Sequence, residues 1–426
     1  MGRLEEQDFD EKRLARRQRR KKSQLMALII LITTLVVVLA AGAFGIYSIR
    51  KVVGARKAEK EEAAAAASSE SQEVVIETPQ EPTPEPEVMT SGDVLEEIVN
   101  SCISELTLEE KVAGLFMVSP EQITGVATVV KAGSSTQDAL SKYAIGGLYY
   151  SAKNIKSQEQ ISEMIKNTTD MSKYPIFTAI REDGSENGAI AASIGGLETG
   201  EVNNSDTAYN AGVSIGSAMF KYGFNFCIAP DLDITDNGKY GTEMETVADI
   251  SVSMTSALHD SGVTACVYEF PVSGDTRSAV VSNEMTKEEL TTNAYVVYQR
   301  AIGDGSVGAV MMSNVSLPTI TGDNTPASLS KVMISDELRG MLGFDGVVIT
   351  GPLNEGAITE YYTSAEAAVN AITAGADMLF LPDDFEQAYQ GVLEAVQNGV
   401  ITEDRINESI KRIYRLKYSD KVDEIE

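Results

Sequence analysis

The chain has 426 residues, 43% hydrophobic and 23% charged, with 34 Gly and 12 Pro. That is a globular composition, which excludes a wholly disordered or collagen-like chain and leaves room for one large barrel with appendages. Charge is uneven. Residues 1–60 hold 14 Lys/Arg against 6 Asp/Glu, a net of +8, and the remainder holds 21 against 57, a net of −36. A body that acidic repels phosphate backbones, so no nucleic-acid partner is expected. One His and three Cys exclude a multi-His metal site and a disulfide framework. No metal or cofactor is expected.

The first predicted element is a membrane span. Residues 25–49 carry no charge, and twenty-five helical residues at about 1.5 Å each cross a hydrocarbon core of about 30 Å. Lys12 to Lys22 place eight basic residues in eleven just before it. Basic residues 1–24 then stay cytoplasmic and the body lies outside the cell. A basic flank also follows (Arg50, Lys51, Arg56, Lys57, Lys60). The apolar run is longer than a signal-peptide core, so the reading is an uncleaved anchor. Residues 50–92, rich in Ala, then Pro and Glu, read as a disordered, extended linker.

From residue 93 to 420, short apolar runs alternate with helical stretches. Eight runs read as strands: 114–118, 146–150, 175–180, 224–230, 264–270, 308–314, 346–350 and 378–382. Their lack of polar alternation implies a parallel sheet covered on both faces. Ser157 with Gln160 and Thr286 with Glu289 fit capping boxes, and Thr402 caps a closing helix. Eight such units predict an α/β fold of the (β/α)8 TIM-like barrel type. A doubly wound open sheet is the rival, but no strand is followed by GxGxxG.

Barrel chemistry sits just after each strand. The candidate positions are Ser119, Ser151, Asn154, Arg181, Glu182, Asp183, Asp231, Asp233, Tyr268, Glu269, Ser313, Asn314, Thr350, Gly351, Asp383 and Asp384. A rim this rich in carboxylates suits a sugar site, and it also follows from an acidic body. Cys102, Cys227 and Cys266 read as free thiols, and His259 as a helix-surface residue.

Several long segments now resemble one family. LTLEEKVAGLFMV is similar to the "LTLEEKIGQLF" opening of glycoside hydrolase family 3, and YGFNFCIAPDLDI to its "LGFNxxFAPVLDV". IGGLYYSAKNIKSQEQI and PASLSKVMISDELRGMLGFDGVVIT resemble two further family stretches. The resemblance covers about residues 104–417. No second sandwich domain follows, as in the family's single-domain β-N-acetylhexosaminidases. It implies a barrel and a retaining hydrolase of β-linked N-acetylglucosamine, as in peptidoglycan.

The motifs that carry the family's chemistry have changed. The family nucleophile is the first Asp of "GVVITDDLxM". Here the text is GVVITGPLNEGAI, so the position is Gly351. The sugar-gripping "KHFPGHG" is YEFPVSG, with Tyr268 and Glu269 for Lys and His, and Ser273 for the second His. "DQEGG" is REDGS, placing Arg181 at the Asp, and "SHV" is SNV, placing Asn314 at the His. The acid/base Asp–His pair is missing from the loop TRSAVVSNEM. Of the usual polar ligands only Asp233 matches. Retention needs a carboxylate nucleophile and a proton donor. The body therefore reads as a glycosidase scaffold without that chemistry.

Three roles remain open. One is a membrane-tethered factor that binds a glycan, a peptidoglycan fragment or an envelope protein through Arg181, Asp183, Asp233, Tyr268, Glu269, Asn314 and Glu355. Another is a hydrolase rebuilt around Glu355 with Glu269, or Asp183 with Asp233. The third is a plain envelope spacer.

Overall fold

The computed structural model describes residues 90–195, 197, 199–235 and 238–422. The predicted cytoplasmic tail, membrane span and nearly all of the linker lie outside them. Among the described residues no helix is long and apolar enough to cross a membrane. The body starts slightly earlier than residue 93. Thr90 caps the helix Ser91–Glu105, and Asp93 completes the capping box.

All eight predicted strands form: β1 Phe116–Val118, β2 Gly147–Tyr149, β3 Phe177–Ile180, β4 Phe226–Asp231, β5 Thr264–Phe270, β6 Val307–Met312, β7 Val347–Ile349 and β8 Leu379–Phe380. They pair in parallel in the order β7-β6-β5-β4-β3-β2-β1-β8. A further parallel bridge, Ile349 to Met378, brings β7 to the start of β8. The result is a nearly closed (β/α)8 barrel. Strand side chains such as Phe116, Leu148, Val267 and Val348 are fully buried, because strands inside a ring of helices meet apolar neighbours on both faces.

Local chemistry sets the helix ends. Thr286 and Glu289 form the expected box, whereas Ser157 accepts the Gln160 N–H without reciprocation. Gln160 instead accepts from the Lys156 N–H at 2.8 Å. The stretch after Thr286 is two helices rather than one, Lys287–Thr292 and Ala294–Asp304, broken at Asn293. Thr291, Thr292 and Asn293 are weak helix formers whose side chains compete with the backbone ladder. The segment Val332–Met341 is π-helical, closed by the Leu342 N–H on the Glu337 carbonyl at 3.0 Å. Cys227 and Cys266 are free and buried, and Cys102 is free. His259 is exposed near the end of the helix Met244–Asp260.

The closing helix, Glu403–Val422, follows the expected Thr402 cap. It buries Ile406, Ile410 and Ile413 fully, each contributing about 1.5–3 kcal/mol. At the end opposite the strand carboxyl termini, Asp377 is fully buried under three arginines. Its oxygens accept from the Val348 N–H at 3.0 Å, Ser409 Oγ at 2.7 Å and Arg412 at 3.3 Å, and also from Arg339. Arg339 and Arg405 also donate to the carbonyls of Phe344, Gly346, Ile372 and Ala376. This clasp ties the closing helix to β7 and β8, leaving the other end of the barrel to carry the site.

Candidate functional site at the barrel mouth

Five strand ends bring the candidate residues to the carboxyl face. β3 runs into Arg181, Glu182 and Asp183. β4 ends at Asp231 and leads to Asp233. β5 carries Tyr268 and Glu269. β6 and β7 deliver Asn314 and the Gly351–Glu355 turn.

Arg181 faces solvent and donates to Tyr268 Oη at 2.7 Å, its guanidinium 4.5 Å from the ring centre. Asp183 is buried. Burial works against its charge, but the Ser185 bonds and the Lys239 ammonium at 3.0 Å outweigh it and hold its pKa below the ordinary value. Asp183 and Asp233, offered as a carboxylate pair, each have partners of their own. Asp183 turns to Lys239, and Asp233 accepts from the Thr235 N–H at 2.9 Å and Oγ1 at 2.8 Å.

Asp231 accepts one N–H, from Asp233 at 2.9 Å. Burial first, then the charges of Asp233 and Asp183, push it up to about 6 against the pull of that bond and of Arg181. Glu269 is pushed up to about 7. Burial is again the largest cause, and the charges of Glu355, Asp231 and Asp233 add to it while Arg181 opposes. Glu355 is positioned by Thr276 Oγ1 at 2.6 Å and Asn314 Nδ2 at 3.0 Å, both on Oε2. Asn314 Nδ2 also reaches the Pro352 carbonyl at 2.9 Å. The charge of Glu355, in the loop after β7, is felt by Glu269 at the end of β5.

Gly351 is buried, and its N–H donates to Ser328 Oγ at 2.9 Å. A Cβ there would meet the Met312 carbonyl oxygen and Asn314 Oδ1, each at 2.9 Å. Real Cβ contacts essentially never come that close, and one of these atoms is backbone. The position is both without a side chain and filled.

Other strand-end candidates serve the fold. Ser119 caps the turn Pro120–Thr124, and Ser151 pairs with Asn154. Asn154 holds Glu121 and the Val129 carbonyl. Glu182 is fully buried and accepts from the N–H groups of Gly184, Ile190 and Ala191. Thr350 accepts the Phe380 N–H at 2.9 Å, and Asp384 caps the helix Phe385–Gln397. Ser313 is buried and Asp383 is exposed, and neither joins the mouth network. Among the described residues no cluster of three His, Cys, Asp or Glu could hold a metal ion.

Three mouth residues escaped sequence reasoning. Lys239 lies in a loop with no motif of its own. Thr276 sits in the altered β5 loop, whose Arg277 and Thr276 carbonyls accept from the Gly356 and Ala357 N–H groups. Tyr149, at the end of β2, packs edge-on against Phe380 with ring centres 5.0 Å apart. Strand alternation before Ser151 was the only signal for it.

Fold and mouth together define a glycosidase-like (β/α)8 barrel. Residues 107–416 match the N-terminal domain of glycosyl hydrolase family 3, and the chain belongs to that family. It is 27% identical over 237 residues to a β-N-acetylglucosaminidase/β-glucosidase of Cellulomonas fimi, covering 51% of this chain and 42% of that protein. It is 21% identical over 324 residues to β-hexosaminidase A of Pseudoalteromonas piscicida, covering 66% and 54%. The chain thus spans about half the length of these curated relatives. A solved family 3 β-N-acetylglucosaminidase from a Paenibacillus species superposes with a TM-score of 0.66 and 30% identity. That match covers 75% of this chain and 63% of the other.

Proposed function

We propose that this barrel is a family 3 scaffold that no longer hydrolyses glycosides and instead binds a glycan or an envelope protein outside the cell. The apolar run 25–49 holds it at the membrane, with the basic segment before it inside. One observation carries the loss of hydrolysis: the space beside Gly351 is occupied by Asn314 and the Met312 carbonyl. A glycosyl–enzyme intermediate needs a carboxylate at the sugar's anomeric carbon, and glycine offers none.

A second reading, an altered glycosidase, is favoured by Glu269. Burial and the charge of Glu355 push its pKa up to about 7, so it can both hold and release a proton near neutral pH, the property that acid–base catalysis uses.

The test incubates the detergent-purified full chain with chromogenic β-N-acetylglucosaminide and a panel of β-glycosides. Glu269→Gln and Glu355→Gln run beside it. The expected result is no turnover above buffer for any of the three. Turnover in the parent that either substitution removes would establish the altered glycosidase. Protease treatment of intact cells is expected to digest the body and spare residues 1–24. The reverse pattern would overturn the topology.

A further inference from the structure

The carboxyl face carries a second concave feature, lined by none of Asp231, Glu269 and Glu355. Two clefts flank the adjoining residues Tyr361 and Tyr362, which line both. One, of about 460 Å³, lies between the segments after β7 and β8 and takes in Glu360 and Asp383. The other, of about 320 Å³, lies between the segments after β6 and β7 and takes in Asn324. Clefts of roughly 300–1,000 Å³ hold small ligands. Two that share one wall suit a ligand of more than one unit.

The shared wall is aromatic and open. Tyr361 is 65% exposed, although most Tyr and Phe side chains of this barrel are buried. The other exposed aromatic side chains among the described residues are Tyr209 and Phe220. Tyr209 spends its hydroxyl on Asp260 at 3.1 Å, and Phe220, on the helix Ser205–Tyr222, lines neither cleft. No hydrogen bond, ion pair or ring contact engages the side chains of Tyr361, Tyr362, Glu360 or Asp383 among the described residues.

Charge narrows the occupant. Neither cleft is lined by a Lys, Arg or His, so an anionic ligand would meet carboxylates without a counter-charge. The open groups are carboxylate acceptors, an amide and two phenols. A neutral sugar matches them: its C–H face packs on a phenol ring, and its hydroxyls donate to the carboxylates.

We infer that this rim groove binds a neutral glycan chain, with one sugar face on Tyr361 and adjoining units in the two clefts. This rests on the glycan-binding reading above and places the ligand on the loops after β6, β7 and β8.

Titration calorimetry on the full chain in detergent, at neutral pH and physiological salt, tests this. The probes are two neutral tetramers, of β-1,4-glucose and β-1,4-N-acetylglucosamine, their monosaccharides, tetragalacturonate and tetralysine. The expected outcome is that a neutral tetramer binds about tenfold or more tightly than its monosaccharide, tetragalacturonate or tetralysine. Tyr361→Ala should weaken that binding about tenfold. Asp383→Ala and Asn324→Ala, one in each cleft, should weaken it several-fold, and Phe220→Ala should leave it. Melting curves confirm that each variant folds. Full affinity in Tyr361→Ala, or in both cleft variants, would overturn the inference while leaving glycan binding standing elsewhere on the barrel. Binding of neither neutral tetramer would overturn both. Equal or tighter binding of tetragalacturonate or tetralysine would overturn the neutral-glycan assignment, and equal weakening by Phe220→Ala would reduce the effect to adsorption on exposed rings and overturn it too.

Discussion

Replacing Gly351 by Asp would supply the residue type that the resemblance to the family puts at its nucleophile position, and it should not bring about hydrolysis. The first cost is steric. An added Cβ meets the Met312 carbonyl and Asn314 Oδ1 at 2.9 Å. Overpacking of this kind costs about 1–3 kcal/mol. Positive φ is not the obstacle, because Gly351 is absent from the left-handed positions. The second cost is electrostatic. The new carboxylate would face two acceptors, with Glu355 already bonded to Asn314. An unpaired carboxylate there adds a few kcal/mol or stays protonated. Gly351→Ala isolates the steric part, so Asp should destabilise more than Ala, by about 2 kcal/mol beyond it. Chemical denaturation monitored by circular dichroism measures both, and the chromogenic β-N-acetylglucosaminide measures activity. Turnover in Gly351→Asp above the Gly351→Ala background, or an unchanged denaturation midpoint, would refute the claim that this space is filled.

Two further outcomes follow from charge. The Glu269 pKa is raised from 4.5 to about 7, so folding is penalised where the unfolded chain is ionised and the folded one resists. The penalty is absent below about pH 4.5, grows as pH rises to about 7 and is complete above it, reaching at most about 3 kcal/mol. Glu269→Gln should therefore raise the melting temperature at pH 8 and leave it unchanged at pH 4, and a pH-independent shift would contradict this. Asp377→Asn removes the only carboxylate bonded to both Arg339 and Arg412 among the described residues. Urea titration should show a loss of about 3–5 kcal/mol, and a loss below about 1 kcal/mol would mean the arginines are held by the carbonyls alone.

Much of the fold was legible because its signals are local. Apolar runs at 264–270 and 346–350 needed only their neighbours to be read as strands, and Thr286 with Glu289 is a cap within four residues. Residue types at the altered motifs were legible too: a glycine at 351 has no nucleophile whatever surrounds it. The rest depends on distant partners. Ser119, Asn154, Thr350 and Asp384 looked like chemistry and proved to be caps and braces, because hydrogen-bond demand at a strand end is met by whatever backbone lies across the fold. Asp183 met Lys239 rather than Asp233. Glu269 and Glu355 lie far apart in sequence, and only barrel curvature brings their charges within range of each other. The scaffold, and a glycine at position 351, could be read from the chain alone. That the space beside Gly351 is occupied, and that Glu269 feels charges from β4 and the loop after β7, came from the folded chain, because burial and charge coupling depend on distance in space.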